Sequence, residues 1–304
     1  MPHNTGGVHP HLSAGHLPAE LNESKLMDLA GLIMVVGASD AGKTTLVRSL
    51  VSRLLALQGR VACIDADPGQ SRLGPPTTFS LELLKQSNGH AIKKSWQRFI
   101  GSVSPAGHML QVLAGCGRLV QKARETMDGA IVMDTSGLVD PQKGGVRLKL
   151  AKIDLLEPSV LIVLQKAGEL EFWVRPLRSA RITRVVDIRC AAAVRQRDFS
   201  QRQAHREAAL RRYFTHAGIR TFYWPDYGVF PDPSFFRHRL LAFEDRQGFV
   251  LKLGIVTGCD IAAKEVSVWT PLTEAQSRRV AVISLGDVVV DPSSFTHSIT
   301  GPNA

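Results

Sequence analysis

The sequence predicts an α/β fold: a doubly wound, mostly parallel sheet followed by a small C-terminal all-β domain. Three observations carry that prediction. Short apolar runs of strand length alternate with helical patterns over most of the chain, a glycine-rich loop joins the first run to the first helix, and the texture turns β-rich after about residue 239.

Residues 1–25 contain HNTGGVHPHLSAGHLPAE, a stretch of turn formers with no apolar period, and read as a disordered arm. His3, His9, His11 and His16 match no metal-site spacing, so a solvated tail is the better reading for them. The apolar run 32–36 reads as a buried strand. Leu46, Val47, Leu50, Val51, Leu54 and Leu55 then share one helix face, and Gly59 stops that helix. Further strands are expected at 61–64, 92–100, 130–133, 160–164 and 185–188, with a helix over 109–123. FVLKLGIV (249–256), VSVW (266–269) and VAVISLGDVVV (280–290) supply the β-rich C-terminal part. The expected division is an arm over 1–25, an α/β domain over 26–238 and a β domain over 239–304.

Composition narrows the class. Hydrophobic residues make up 44 % of 304, enough for a real core, and no apolar run approaches the roughly 20 residues a membrane span needs. The N-terminus has no apolar segment of the secretory kind. Cys63, Cys116, Cys190 and Cys259 lie far apart with no CxxC pair. This argues against a disulfide framework or a cysteine zinc site, favours small buried thiols and suits a cytoplasmic protein. The net charge of +10 favours a polyanionic partner, and much of it is arginine between Arg175 and Arg220.

GASDAGKT, residues 37–44, fits G-x-x-x-x-G-K-[ST] at every fixed position and lies between a strand and a helix, as a P-loop must. Gly37, Ala38, Ser39, Asp40, Ala41, Gly42, Lys43, Thr44 and Thr45 are therefore the expected ATP-binding residues. Backbone N–H groups and the helix N-terminus would cradle phosphate, Lys43 would reach the β- and γ-phosphates, and Thr44 would ligate Mg²⁺. Asp65 and Asp67, two apart at a strand end, emerge on one face, and Asp134 ends a third strand as a Walker B carboxylate would. For Asp65 a helix N-cap is the equal alternative. The strand ending Val163-Leu164-Gln165-Lys166 carries no N-K-x-D guanine motif, which favours ATP over GTP and argues against the metal-insertion GTPases.

DADPGQSRLGPPTT (65–78), following this loop, closely resembles the RNA 5′-hydroxyl polynucleotide kinases, the family of the pre-mRNA cleavage and tRNA-splicing kinase, the rRNA-processing kinase and their archaeal relatives. GSVSPAGHMLQVLAG (101–115), DTSGLV (134–139), Arg202 and Arg206 in an R-x-x-x-R lid, and EDRQGFVLKLGIV (244–256) extend the resemblance over 26–290 to that of a short, prokaryotic-type member. Leu138 stands where the family often has Trp, and the short arm takes the place of the eukaryotic N-terminal β domain.

The resemblance implies transfer of the ATP γ-phosphoryl group to a 5′-OH end of RNA, with DNA as an alternative acceptor. It implies that Asp67 acts on the acceptor hydroxyl, that Lys43 and a Mg²⁺ ion held by Thr44, Asp67 and Asp134 act on the donor phosphates, and that Arg202 and Arg206 close over them. Gln70, Thr77, Thr78, Ser104 and Thr135 are the candidate substrate contacts. Trp173 and Trp224 are either core residues or stacking platforms for a terminal base. Two other functions compete: an ATP-bound scaffold without turnover, and a metallochaperone using the histidine arm.

Overall fold

The computed structural model of the chain describes residues 18–27, 29–87, 90–190 and 198–300. It divides into two compact units: Met1–Asp67, Ser80–Ser95 and Cys116–Gln196 in the first, Pro68–Phe79, Trp96–Gly115 and Arg197–Ala304 in the second. No helix among the described residues is long and apolar enough to cross a membrane.

The first part of the chain runs α1 (Glu23–Met27), β1 (Gly31–Gly37), α2 (Lys43–Gln58), β2 (Arg60–Ala66), β3 (Thr78–Ser87), β4 (His90–Phe99), α3 (Met109–Thr126), β5 (Ala130–Thr135), α4 (Gly145–Leu156), β6 (Val160–Gln165), α5 (Glu171–Ala180) and β7 (Arg184–Arg189). Their sheet has the order β4-β3-β2-β5-β1-β6-β7. Strands β2, β5, β1, β6 and β7 are parallel neighbours, whereas β3 runs antiparallel to β2. The expected doubly wound, mostly parallel sheet is therefore present. The apolar runs are buried on both faces because helices cover them, which is why β1 and β5 show no alternation. Neither β3 nor α4 is among the elements expected from the sequence. β3 (TFSLELLKQS) does alternate, Phe79, Leu81 and Leu83 against Thr78, Ser80 and Glu82, a strand signal that starts inside the GPPTT motif, and α4 places two lysines on its buried face.

Residues 18–25, expected to belong to the disordered arm, instead carry a 3₁₀ turn (Ala19–Leu21) and the start of α1. Leu21 and Leu26 are buried there, and the Gln58 side-chain amide at the end of α2 donates to the Leu26 and Leu29 carbonyls at 3.2 and 2.9 Å. Two leucines with an apolar site to enter outweigh a turn-forming composition. The four arm histidines lie outside the described residues.

The second unit is built on α6 (Phe199–Tyr213), β8 (Gly218–Tyr223), β9 (Gly228–Phe230), β10 (Arg239–Glu244), β11 (Val250–Asp260), β12 (Glu265–Thr270), α7 (Glu274–Ser277), β13 (Val282–Val290) and β14 (His297–Ile299). Its sheet has the order β14-β13-β10-β11-β12-β8, with β9 beside β13. The expected boundary at Arg239 is thus corrected. β8 pairs antiparallel with β12, Ile219 opposite Trp269 and Phe222 opposite Val266, so the sheet recruits chain well before Arg239. The loop after β4 also belongs here: the Asp287 amide donates to the Gly101 carbonyl at 2.8 Å, and a Cβ on Gly286 would meet that same oxygen at 2.9 Å.

α6 lies on this sheet through Leu210 and Phe214, in a core with Leu240, Leu253, Ile255, Val288 and Phe295. The Phe214 ring stacks on Trp269 with centroids 5.3 Å apart, and the neighbouring Tyr213 hydroxyl accepts the Leu253 amide at 2.9 Å. Burial pushes the Tyr213 phenol up to about 12, so it stays a neutral hydroxyl at ordinary pH.

One side-chain alternative is decided and one expectation changes. Trp173 is buried in the core, which removes it as a stacking platform, and Trp224 is partly buried against Phe235 at 5.3 Å. Cys63 and Cys116 are buried as expected, but Cys190 is half-buried and Cys259 is exposed near the end of β11.

Replacing Phe214 with Ala removes an almost fully buried ring that joins α6 to the sheet. We expect a loss of about 3–5 kcal/mol, read as a lower denaturant midpoint at an unchanged slope.

Candidate active site

The P-loop leaves β1 at Gly37 and enters α2 at Lys43. Gly42, the residue before the helix, has φ 92°, a left-handed conformation that a side chain would strain. The sharp turn leaves the first N–H groups of α2 unbonded within the helix and facing the loop, which makes an anion cradle. Lys43 is 7 % exposed, and its Nζ donates to the Ala38 carbonyl at 2.7 Å, so the side chain folds back over the loop. Burial lowers the Lys43 pKa, while Asp134, Asp67 and Asp40 pull it back up.

Beside the loop, β5 ends in Asp134. The Thr44 hydroxyl donates to Asp134 Oδ2 at 2.5 Å, and Asp134 Oδ1 is buried with no hydrogen-bond partner among the described residues. Burial pushes the Asp134 carboxyl up to about 6 against the opposing effects of Thr44 and Lys43. Asp65 sits opposite Asp134 in the β2–β5 register, and its Oδ1 accepts the Asp67 amide at 3.3 Å. No helix follows Asp65, so the N-cap alternative gives way to a role in shaping the turn. Asp67 is half-buried and acts electrostatically on both Lys43 and Asp134.

These donors fit a hard divalent cation. A hydroxyl and a buried carboxylate oxygen lacking a partner converge, and burial of that carboxylate calls for a positive charge. Among the described residues no group of three or more His, Cys, Asp or Glu gathers into an all-protein metal cage. Phosphate and water would supply the remaining ligands, the arrangement usual for nucleotide-bound Mg²⁺.

Sequence reasoning missed what holds the end of β5 in place. Lys149 on α4 is fully buried, and its Nζ donates to Thr135 Oγ1 at 2.9 Å and to the Ser136 carbonyl at 2.7 Å. Burial, reinforced by Lys152 and Lys43, pushes this ammonium well below the ordinary lysine range. The available signal was two lysines three apart on a face shared with Leu148, Ile153 and Leu156. Gly137 was the other omission: a Cβ there would lie 2.3 Å from Ser39 Oγ and 2.5 Å from the Ser39 amide nitrogen, so only glycine lets this strand end touch the phosphate loop.

The second unit holds the remaining candidates. Gln70 Nε2 donates to the Gly69 carbonyl at 2.6 Å and to the Arg202 carbonyl at 3.4 Å, tying the DPGQ turn to α6. Thr77 has φ 73°, rare for a β-branched residue, and its buried hydroxyl has no hydrogen-bond partner among the described residues. The Ser104 hydroxyl accepts the Ala106 amide at 3.2 Å.

Two substrate candidates are corrected. Thr78 is fully buried with its hydroxyl on the Pro75 carbonyl at 2.7 Å. In the first unit, Thr135 is fully buried between the Val35 carbonyl and Lys149. Both hydroxyls are committed to holding backbone.

α6 opens with a capping box in which the Asp198 side chain accepts the Gln201 amide. Arg202 and Arg206 stand one turn apart on it. Arg202 is half-buried, whereas Arg206 is only 8 % exposed and donates from Nε to His297 Nε2 at 2.8 Å. Arg206 is therefore held, and is not a solvated finger.

A family model described as "mRNA cleavage and polyadenylation factor CLP1 P-loop" matches residues 37–216. The polyribonucleotide 5′-hydroxyl-kinase of Pyrococcus furiosus is 32 % identical over 192 residues, covering 62 % of this chain and 52 % of its own length, so the match spans about half of that relative. That of Methanocaldococcus jannaschii is 24 % identical, covering 85 % of this chain and 87 % of its own. Among solved structures, the Clp1p–Pcf11p complex superposes with a TM-score of 0.67 at 16 % identity, over 88 % of this chain and 76 % of the matched one, a likeness of fold.

Two outcomes are expected, the first of the protein without nucleotide and the second of its binding. With the Asp134 carboxyl at about 6 in the fold and near 3.8 unfolded, the folded state holds a proton that the unfolded state has lost between those values. The contribution of Asp134 to stability should therefore be greater below pH 4 and fall as pH rises to 6, by on the order of 2–3 kcal/mol, set against Glu169, Glu171, Asp198 and Asp291, whose lowered pKa values act the other way. Asp134→Asn should flatten that slope in chelator-treated denaturation curves. Gly137→Ala should push Ser39 out of place and weaken nucleotide binding at least about tenfold, measured by titration calorimetry, while the protein remains folded.

Proposed function

The chain belongs to the mRNA cleavage and polyadenylation factor CLP1 P-loop family, and from that premise we propose that it is an ATP-dependent polynucleotide 5′-hydroxyl kinase acting on RNA, with DNA as a second acceptor. The observation that carries this reading is the Thr44–Asp134 pair at the phosphate loop, with Asp67 at the adjoining turn acting on the same charges.

In this reading the 5′-oxygen of the polynucleotide attacks the γ-phosphorus, the bond to the β,γ-bridging oxygen breaks, and ADP leaves. Asp67 orients the hydroxyl and takes its proton. Lys43 moves from the Ala38 carbonyl onto the donor phosphates and offsets charge on the leaving oxygen. Thr44 and Asp134, with Asp67, would hold Mg²⁺, which would neutralise charge on the donor phosphates. Lys149 keeps Thr135 and Ser136, and hence Asp134, from shifting as charge moves. Gln70, Thr77 and Ser104 remain the proposed contacts to the first nucleotides, and Arg202 with Arg206 the proposed stabilisers of the transferred group. The free thiols suit a reducing compartment, so we place the reaction in the cytoplasm.

The test is incubation with γ-labelled ATP and 5′-OH oligonucleotides of RNA and DNA. Label should appear at the 5′ end, and Lys43→Ala should abolish it. Tight ATP binding without label on any oligonucleotide, whatever divalent ion is supplied, would favour an ATP-bound scaffold instead. Asp67→Asn should leave ATP affinity within about threefold while kcat falls by about a hundredfold or more, the size of a general-base contribution; an equal loss of ATP affinity would make Asp67 chiefly a metal ligand. Arg202→Ala should lower kcat at least about tenfold at saturating RNA, whereas Arg53→Ala on α2 should match the wild type.

A further inference from the structure

We propose that His297 is a positioning residue for Arg206, holding the lid guanidinium through a hydrogen bond that only a neutral imidazole can accept. The inference rests on the kinase reading, in which Arg206 stabilises the transferred phosphoryl group.

The two residues are far apart in sequence and meet because β14 pairs with β13, placing His297 opposite Val290 at the edge of the sheet under α6. Arg206 Nε donates to His297 Nε2 at 2.8 Å. An arginine has no acceptor and does not deprotonate in proteins, so the imidazole must accept, with its proton on Nδ1. Fixing Nε fixes the plane of the guanidinium, and with it the direction of both Nη donors, which are the atoms a phosphoryl group would meet.

The same strap of chain holds α6 at a second point. Arg211 donates from Nη2 to the Ser294 carbonyl at 2.9 Å and lies 5.1 Å over the Phe295 ring. One short segment, 294–297, therefore grips the lid helix at Arg206 and again five residues later. The second grip attaches the helix, whereas the first aims a side chain.

Burial and the Arg206 charge lower the His297 pKa, while Glu207 on α6 and the Phe295 backbone act weakly the other way. The imidazole therefore stays neutral through the ordinary working range. Protonation at lower pH removes the acceptor and sets two cations against each other, which releases Arg206.

Three substitutions separate aiming from mere packing. His297→Gln keeps a neutral acceptor, His297→Ala removes it, and His297→Lys replaces it with a cation. At saturating RNA and ATP, we expect His297→Ala and His297→Lys to lose at least about tenfold in kcat, with ATP KM within about twofold. The wild-type pH–rate profile should fall on its acidic side below the histidine range, and His297→Gln should retain most of the activity and lose that acidic limb.

In parallel, the His297 pKa followed by NMR should rise in Arg206→Gln. Equal kcat loss in the Gln and Ala variants, or wild-type kcat in both, overturns the proposal. So does an NMR titration of His297 that ignores Arg206→Gln. If wild-type protein labels no 5′-OH end while that titration does shift, the kinase reading fails and the pairing stands.

Discussion

Everything at the phosphate loop depends on one buried carboxylate. Asp134 lies at the end of a strand flanked on both sides, where water cannot solvate its charge, and the surrounding groups are arranged around that fact. Thr44 commits its hydroxyl to one oxygen, Lys43 and Lys149 act on the carboxylate electrostatically, and the other oxygen has no partner among the described residues. The loop conformation follows from the same need. Gly42 allows the tight entry into α2, and Gly137 allows the end of β5 to reach Ser39. A phosphate and cation bound at such a site would relieve an existing electrostatic cost.

The second unit holds a helix and presents its side chains. One of its two cores is the contact of α6 with a six-strand antiparallel path, and the aromatic stack of Phe214, Trp269 and Phe295 is the centre of that contact. A surface helix with two isolated arginines would wave them in solvent and spend side-chain entropy on every encounter with phosphate. Here Asp198 caps the start of the helix, Gln70 bonds to its backbone at Arg202, and the 294–297 segment takes Arg206 and Arg211.

The places where reading and structure diverge share a cause. Thr78 and Thr135 look like substrate contacts because they sit in the right motifs, yet their hydroxyls face inward onto the Pro75 and Val35 carbonyls. Motif position says where a residue is along the chain; it does not say which way the side chain turns. Lys149 diverges the other way. No motif contains it, yet its buried amine on an apolar helix face fixes the strand end through Thr135 and Ser136. The boundary at Arg239 moved because β8 looks unremarkable until β12 is there to pair with it.

The local code was sufficient for the parallel sheet, the phosphate loop and its carboxylates. Each rests on residues within a few positions of one another: an apolar run of strand length, glycines where the turn requires them, an acid at a strand end. The β-rich C-terminal part was legible for the same reason, in the runs that became β11, β12 and β13. Long-range packing decided the rest. The burial of Asp134 and Lys149, the strain at Thr77, the meeting of Arg206 with His297 and the assignment of β8 to the second sheet all join segments distant in sequence. Spacing along a chain records periodicity within an element, whereas desolvation and hydrogen-bond partners are properties of the folded volume, set by whichever distant residues arrive there.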